Sequence, residues 1–243
     1  MTTPNKCLYA GGDSWCEGDE LGLPYDPVHT PLYRQGHSWP RLLANRLGID
    51  VCVNDGLRGT SGSRIYRRAM RFIRTWLKYN RAQDLTVVVG WTTLERDETP
   101  VDADYKGVKV PYYIPYHWHC YNLPTMSNRM KIDPIVLDSL ETVHRPYTLT
   151  QGECSRSAVQ LERMANLELT CRSLGVKLLQ TWALDPDRRD FEHIEQLKIS
   201  FVEYTRLHGL ELAKGGHPLE EGHREWATTL KDYYETLYPK HYG

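Results

Sequence analysis

Phenylalanine is scarce in this chain, with 3 residues against 16 tyrosines and 7 tryptophans. Aromatics with a polar edge suit half-wet surfaces, carbohydrate and protein interfaces among them. Charge of one sign is lacking too. With 30 basic and 31 acidic side chains the formal net charge is -1, so electrostatics gives no reason to expect nucleic acid or an anionic membrane as partner. The arginines Arg64, Arg67, Arg68, Arg71 and Arg74 are spaced as the solvated face of one helix. The opening MTTPNKCLYAGG has no apolar core of signal-peptide length, and no apolar run is long enough to span a bilayer. A soluble protein made in the cytoplasm is expected. Cys7, Cys16, Cys52, Cys120, Cys154 and Cys171 are scattered without a C-x-x-C pair, so free thiols are expected and no disulfide framework. Gly11, Gly12 and Gly18 lack the G-x-G-x-x-G spacing of a dinucleotide site, and no H-E-x-x-H occurs. Neither a cofactor nor a metal is expected.

What is present reads as one α/β domain over residues 1–243, with 40% apolar and 25% charged residues. Lys6 to Gly11 is a short apolar run ending at glycines and predicts a buried strand. His37 to Leu47 has helical spacing and stops at Gly48; Ile49 to Val53 predicts a second strand, with Asn54-Asp55-Gly56 as the turn after it. Ser63 to Tyr79 predicts a helix with Ile65, Ala69, Phe72, Ile73 and Trp76 on one side. Leu85 to Val89 is the strongest strand signal, running into Gly90. From about residue 98 to 154 the pattern pauses in a proline- and aromatic-rich stretch, expected to be an insertion. Alternation then resumes with a helix from Ser155 to Leu174 ended by Gly175, a strand from Val176 to Trp182, a helix from Phe191 to Leu207 and a last helix from Gly222 to Tyr238. Strand–helix alternation with short joints implies βαβ units, hence a three-layer α/β/α fold with a mainly parallel sheet. Ligand sites in such sheets lie beyond the carboxyl ends of the strands. Ser14, Gly59, Gly90 and the loop after Trp182 are therefore expected on one edge.

The segment "YAGGDSWCEG" puts a serine at that edge. A nucleophilic serine needs a base, donors for an oxyanion and a group that orients the base. The best base is His217, in "AKGGHPLEEGHREWA", after a Gly-Gly that frees the backbone and before a stiffening proline. Gly12-Asp13-Ser14, Asn54-x-Gly56-x-x-Gly59, Gly90 and His217-Pro218-x-x-x-Gly222-His223 together resemble the ordered blocks of the SGNH (GDSL-type) hydrolases. The resemblance runs from about residue 5 to 235, the insertion apart, and implies a flavodoxin-like sheet. It implies Ser14 as nucleophile and His217 as base. The N–H groups of Ser14 and Gly59 would be oxyanion donors, with Asp13 bracing the turn, Asn54 tying loops and His223 supporting the last helix. Two positions depart from the family pattern. Thr92 stands where the family has an asparagine that donates to the oxyanion, and Lys214, followed by Gly215, stands where it has the orienting aspartate. Asp185 and Glu211 are the candidate replacements for that acid.

Other features have plainer readings. His117 and His119 alternate as half a metal site would, but no acid or cysteine pattern completes it except Cys120; an aromatic-rich surface loop is expected, with Tyr112, Tyr113, Tyr116, Trp118 and Tyr121 as a sugar-stacking rim or a protein interface. Glu17, Asp19 and Glu20 lack calcium-loop spacing and read as a solvated loop. Arg58 is expected beside the oxyanion site, with Trp15 and Trp91 as further substrate contacts, and Glu95 and Arg96 as an ion pair on the same rim. The function expected is a serine esterase acting on small acyl esters, with acetylated carbohydrate as the substrate class. The alternative is a catalytically weak or silent relative that binds protein partners through residues 98–154 in a larger assembly. The resemblance includes domains of viral particles such as phage tails, so a virion-associated protein fits that alternative. An acyltransferase using the same serine is a third class.

Overall fold

The structure is a computed structural model that describes residues 6–22, 29–94, 96–105, 108–117, 153–184, 191 and 194–239, without the side chains of 29–30, 97–105, 108–117 and 153–155. In chain order it has β1 (Cys7–Gly11), α1 (Ser14–Glu17), α2 (His29–His37), α3 (Trp39–Leu47), β2 (Val51–Asn54), α4 (Gly62–Trp76) and β3 (Leu85–Trp91). There follow β4 (Arg96–Tyr105), β5 (Val108–His117), α5 (Glu153–Leu174), β6 (Lys177–Trp182), α6 (Phe201–Leu207) and α7 (Glu220–Leu237).

β1, β2, β3 and β6 form a sheet in the order β2-β1-β3-β6, parallel throughout. Side chains alternate across it, and each set is buried by different helices. Cys7, Tyr9, Val87, Val89 and Trp91 pack with Ile65, Ala69 and Ile73 of α4 and Met164 and Leu167 of α5. Leu8, Ala10, Val88 and Leu179 pack with Trp39, Leu43, Phe201, Trp226 and Leu230 of α3, α6 and α7 on the other face. The period-2 alternation of apolar residues on both faces is what makes the three-layer arrangement obligatory. The chain leaves β1 to one side for β2 and to the other for β3, so the switch point, where a crevice opens, lies at the carboxyl ends of β1 and β3. No described helix is long and apolar enough to cross a membrane.

Helix ends fall where the glycines announce them: Gly48 and Gly175 adopt left-handed backbone with φ of 64° and 71°. Three segments differ from expectation. α2 is a helix that the sequence pattern did not reveal. β4 and β5 pair antiparallel where a patternless insertion was expected. Its prolines had argued against strands, but Glu98 opposes Pro115, Pro100 opposes Tyr113 and Asp102 opposes Pro111. All three prolines thus fall on one alternation of the register, and in a two-stranded ribbon the outward-facing N–H is the one that can be dispensed with. The third difference is the helix expected over Phe191 to Leu207, which begins only at Phe201. Ser200 caps it by accepting from the Glu203 N–H at 3.1 Å. Before that cap the backbone is spent on β6, the Leu197 N–H donating to the Gln180 carbonyl at 2.9 Å. Gln196 meanwhile bonds the Trp182 indole and the Phe191 carbonyl.

Candidate active site

β1 delivers the chain to Gly12, which must be glycine: an added Cβ would sit 2.5 Å from Cys16 Cβ and 3.2 Å from the Gly90 carbonyl. Asp13 then caps α1, its Oδ1 accepting from the Trp15 N–H at 3.0 Å. Ser14 is the first residue of α1 and is only 6% exposed. α1 ends at once in the left-handed Gly18, and the chain turns back through Asp19 and Glu20.

That turn holds the residue the sequence reading missed. Glu20 Oε2 lies 2.7 Å from His217 Nδ1, and His217 Nε2 lies 2.9 Å from Ser14 Oγ. A carboxylate on Nδ1 fixes the proton there, so Nε2 is the acceptor for the serine hydroxyl. Glu20 is also seized by backbone, from the Gly215 N–H to Oε1 at 2.9 Å and from the His217 N–H to Oε2 at 3.4 Å. The loop closes on it through the Ala213 N–H, which donates to the His217 carbonyl at 2.8 Å. A Cβ on Gly215 would meet Glu20 Oε2 at 2.4 Å, so this glycine makes room for the acid. Desolvation raises the Glu20 carboxyl, but the bonds from the His217 ring and the two N–H groups outweigh it and hold it below the usual carboxylate range. Among the described residues Glu20 is also the non-glycine with positive φ, at 64°, a conformation costing on the order of 1 kcal/mol.

The three acids read as a solvated loop therefore divide the work. Asp19 pairs with Arg34 at 3.1 Å and Arg58 at 2.6 Å, and Glu17 accepts from the Arg58 N–H at 2.8 Å. These two brace the turn while Glu20 faces the histidine. Of the acids expected for that place, Glu211 is exposed, its carbonyl accepting from the Leu219 N–H, and Asp185 lies outside the described residues. Lys214 is exposed at the corner of the loop.

On the opposite side of the serine, Asp13 is fully buried. Its Oδ2 accepts from Thr92 Oγ1 at 2.9 Å and from Arg96 Nη1 at 3.1 Å. Thr92 Oγ1 in turn accepts from Arg96 Nη1 at 3.0 Å. A hydroxyl has one proton, and that of Thr92 goes to Asp13, which removes Thr92 from the expected oxyanion donors. Arg96 pairs with Asp13; Glu95, its expected partner, lies outside the described residues. Burial pushes the Asp13 carboxyl up, and the Arg96 charge, the Trp15 N–H and the Thr92 hydroxyl pull it down without cancelling the rise.

The other expected residues sort clearly. Gly59 is exposed in left-handed backbone with φ of 67°, one residue before the buried Thr60. Asn54 ties loops together: its Nδ2 donates to the Cys16 carbonyl at 2.9 Å and to Ser38 Oγ at 3.1 Å, and its Oδ1 accepts from the Gly56 N–H at 3.0 Å. His223 is buried at the start of α7, with Nδ1 accepting from the Trp39 N–H at 3.1 Å. Trp15 is buried, its ring 6.1 Å from that of His217 between centroids and edge-on to Phe201. Trp91 is core as well, its indole N–H bonded to Gln180 at 3.0 Å. Arg58 is 62% exposed on its side chain, but its guanidinium is engaged by Asp19. His119, Cys120, Trp118 and Tyr121 lie outside the described residues, as do the side chains of Tyr112, Tyr113, Tyr116 and His117. Among the described residues no cluster of His, Cys, Asp and Glu has the makings of a metal site.

A model of a family of unknown function, DUF6071, matches residues 23–209. The chain belongs to this family. The matched span begins after Glu20 and ends before His217, so it includes neither half of the serine–histidine–glutamate line. No curated protein matches the chain. Similar solved structures include a member of the lipolytic protein G-D-S-L family from Veillonella parvula, 11% identical, covering 96% of this chain and 97% of its own, with a TM-score of 0.43. An acetyl-xylooligosaccharide esterase from Geobacillus Stearmophilus is 13% identical, covers 100% and 98%, and has a TM-score of 0.39. An alpha/beta hydrolase from the metagenome of Lake Arreo is 15% identical, covers 97% of each chain, and has a TM-score of 0.44. At these values the fold is better read from the parallel sheet order, and the site from its own bonds.

Proposed function

We propose that this DUF6071 protein is a serine ester hydrolase of the SGNH type. The observation that carries the reading is the unbroken line from Ser14 Oγ through His217 Nε2 and Nδ1 to Glu20 Oε2, with links of 2.9 and 2.7 Å. Ser14 Oγ attacks the ester carbonyl carbon while His217 Nε2 takes its proton, and the carbonyl electron pair moves onto oxygen. Collapse of that oxyanion expels the alcohol, which leaves with the proton from His217. A water then gives its proton to His217 and attacks the acyl-serine; collapse releases the acid as His217 returns the proton to Ser14 Oγ. Glu20 holds the ring in the reactive tautomer and stabilises its cation. The N–H groups of Ser14 and Gly59 are the backbone donors to the oxyanion. Small acyl esters are the substrate class, with acetyl on carbohydrate the first to screen.

The alternative of a silent binding protein, in a virion or elsewhere, rests on Lys214 in place of the aspartate, on Thr92 in place of the asparagine and on the aromatic- and proline-rich stretch at 98–154. Glu20 supports the enzyme against it. Labelling with a fluorophosphonate, read by peptide mass spectrometry, tests the proposal. An adduct on Ser14 that is lost in His217→Ala is the expected result. A folded protein that forms no adduct would sink it and favour the binding role.

A further inference from the structure

We propose that Arg96 is the third oxyanion donor, replacing the side chain absent at position 92. This rests on the hydrolase reading above. The reason to look for such a donor is the state of Thr92, whose proton is committed to Asp13 at 2.9 Å. That bond makes the threonine oxygen an acceptor toward Arg96 Nη1 at 3.0 Å. Thr92 and Asp13 thus form a two-point rest that fixes one end of a guanidinium beside the nucleophile turn, since Asp13 is the residue directly before Ser14.

A guanidinium carries N–H donors in a rigid planar fork. Those on Nη1 are used by Asp13 Oδ2 and Thr92 Oγ1. Among the described residues Nε and Nη2 have no protein hydrogen-bond partner, and the side chain is 18% exposed. The guanidinium is thus held by the buried Asp13 carboxylate and the Thr92 hydroxyl while its side chain stays partly exposed. Donors fixed beforehand in such a place act on developing negative charge without reorganisation. The Asp13 carboxylate also keeps the cation in place when no substrate is present.

The sequence origin of Arg96 is consistent with this assignment. It opens β4, the first strand of the hairpin inserted after β3. The same β3 end that carries Thr92 thus leads, four residues later, into the donor that takes over its family role. In the reaction the Arg96 N–H groups gain a stronger acceptor as the carbonyl oxygen becomes an oxyanion, and return to a weaker one when the alcohol leaves; no proton is transferred from Arg96.

The experiment compares wild type, Arg96→Lys and Arg96→Ala in Ser14 phosphonylation rate and in hydrolysis of p-nitrophenyl acetate, with and without millimolar guanidinium ion. Thermal melts report whether each variant is folded. Arg96→Ala is expected to lose about 100-fold in kcat with KM nearly unchanged, and added guanidinium ion to restore part of it. Arg96→Lys, which keeps the charge against Asp13 but loses the fork, is expected to lose about tenfold. Unchanged kcat in a folded Arg96→Ala overturns the proposal, and so does a loss that guanidinium leaves untouched in a folded variant. If Arg96→Ala does not fold, Arg96→Lys decides: full kcat there overturns the assignment. A wild type that is never labelled at Ser14 fails the hydrolase reading itself and takes this role with it, whereas labelling that ignores Arg96 fails this role alone.

Discussion

Two carboxylates seven residues apart flank the same serine and have opposite characters. Glu20 is 30% exposed on its side chain, is bonded by a histidine ring and two backbone N–H groups, and is held below the usual carboxylate range. Asp13 is fully buried, is bonded by an arginine, a threonine and a helix N-terminus, and is pushed upward by desolvation. The chemistry of the two groups is the same; their access to water and the nature of their donors differ. A carboxylate that must steady a transient imidazolium is served by a place where its charge is easily kept. One whose task is to cap a helix and pin a guanidinium can be buried, because its partners never leave. The lesson is that position in the chain does not assign the acid of a catalytic line, whereas the donors around it do.

The comparison breaks most visibly at Glu20. Glu20→Gln should leave the fold intact and lower kcat by about 10⁴-fold, the effect expected when a histidine loses the charge that sets its tautomer. Gly215→Ala should move in the same direction by displacing the carboxylate. Steady-state hydrolysis by a folded Glu20→Gln within tenfold of wild type would show that the 2.7 Å contact does not orient the base.

Asp13 is expected to fail in stability first. Asp13→Ala uncaps α1 and strands Arg96 without its partner, and removing one member of a buried pair costs about 3 kcal/mol or more. Urea unfolding measures it. A variant as stable as wild type would mean that Arg96 finds water or another acceptor, and the contrast between the two acids would narrow.

The smallest effect separates two titrations. Glu20 has a depressed folded pKa, so its stabilisation is complete above about pH 4.3 and is lost as the pH falls further. His223 acts over another window. Burial first, then the charge of His217, pushes its folded pKa down to about 3. The unfolded chain binds that proton near pH 6.5 while the folded one refuses it until about pH 3, so stability declines with acid across that span. Melting temperatures from neutral pH to pH 3 should fall through the whole range in wild type. In Glu20→Gln the decline above about pH 4.3 should persist and that below it should weaken. Identical curves below that point would deny Glu20 its role in the fold.

Much of the molecule could be read without coordinates. The runs at Cys7–Gly11, Val51–Asn54, Leu85–Trp91 and Lys177–Trp182 declare strands as short, largely apolar segments, most plainly the fully buried Cys7–Gly11 and Leu85–Trp91. Gly48 and Gly175 declare helix ends because only they tolerate the left-handed turn cheaply. From that order Ser14 was bound for the edge beyond the strand ends, and the resemblance paired it with His217. The hairpin at 96–117 was hidden because prolines on one alternation look like breakers until the partner strand shows which N–H groups face outward. The helix expected from Phe191 was lost to competition, since Gln180 and Ser200 make tertiary and capping claims on that backbone that no local pattern displays.

The sequence by itself determined the layered parallel fold, the edge at which chemistry gathers, and the serine and histidine that meet there at 2.9 Å. The fold and its edge follow from periodicity and glycine placement, which are local, and the serine and histidine from the blocks that resemble the SGNH hydrolases. Only the tertiary structure decided which acid faces His217, that Thr92 donates to Asp13, and that Arg96 lies beside them. Those bonds join residues 197, 79 and 83 positions apart. Their partners are chosen by how loops close over the sheet edge, through space and not along the chain.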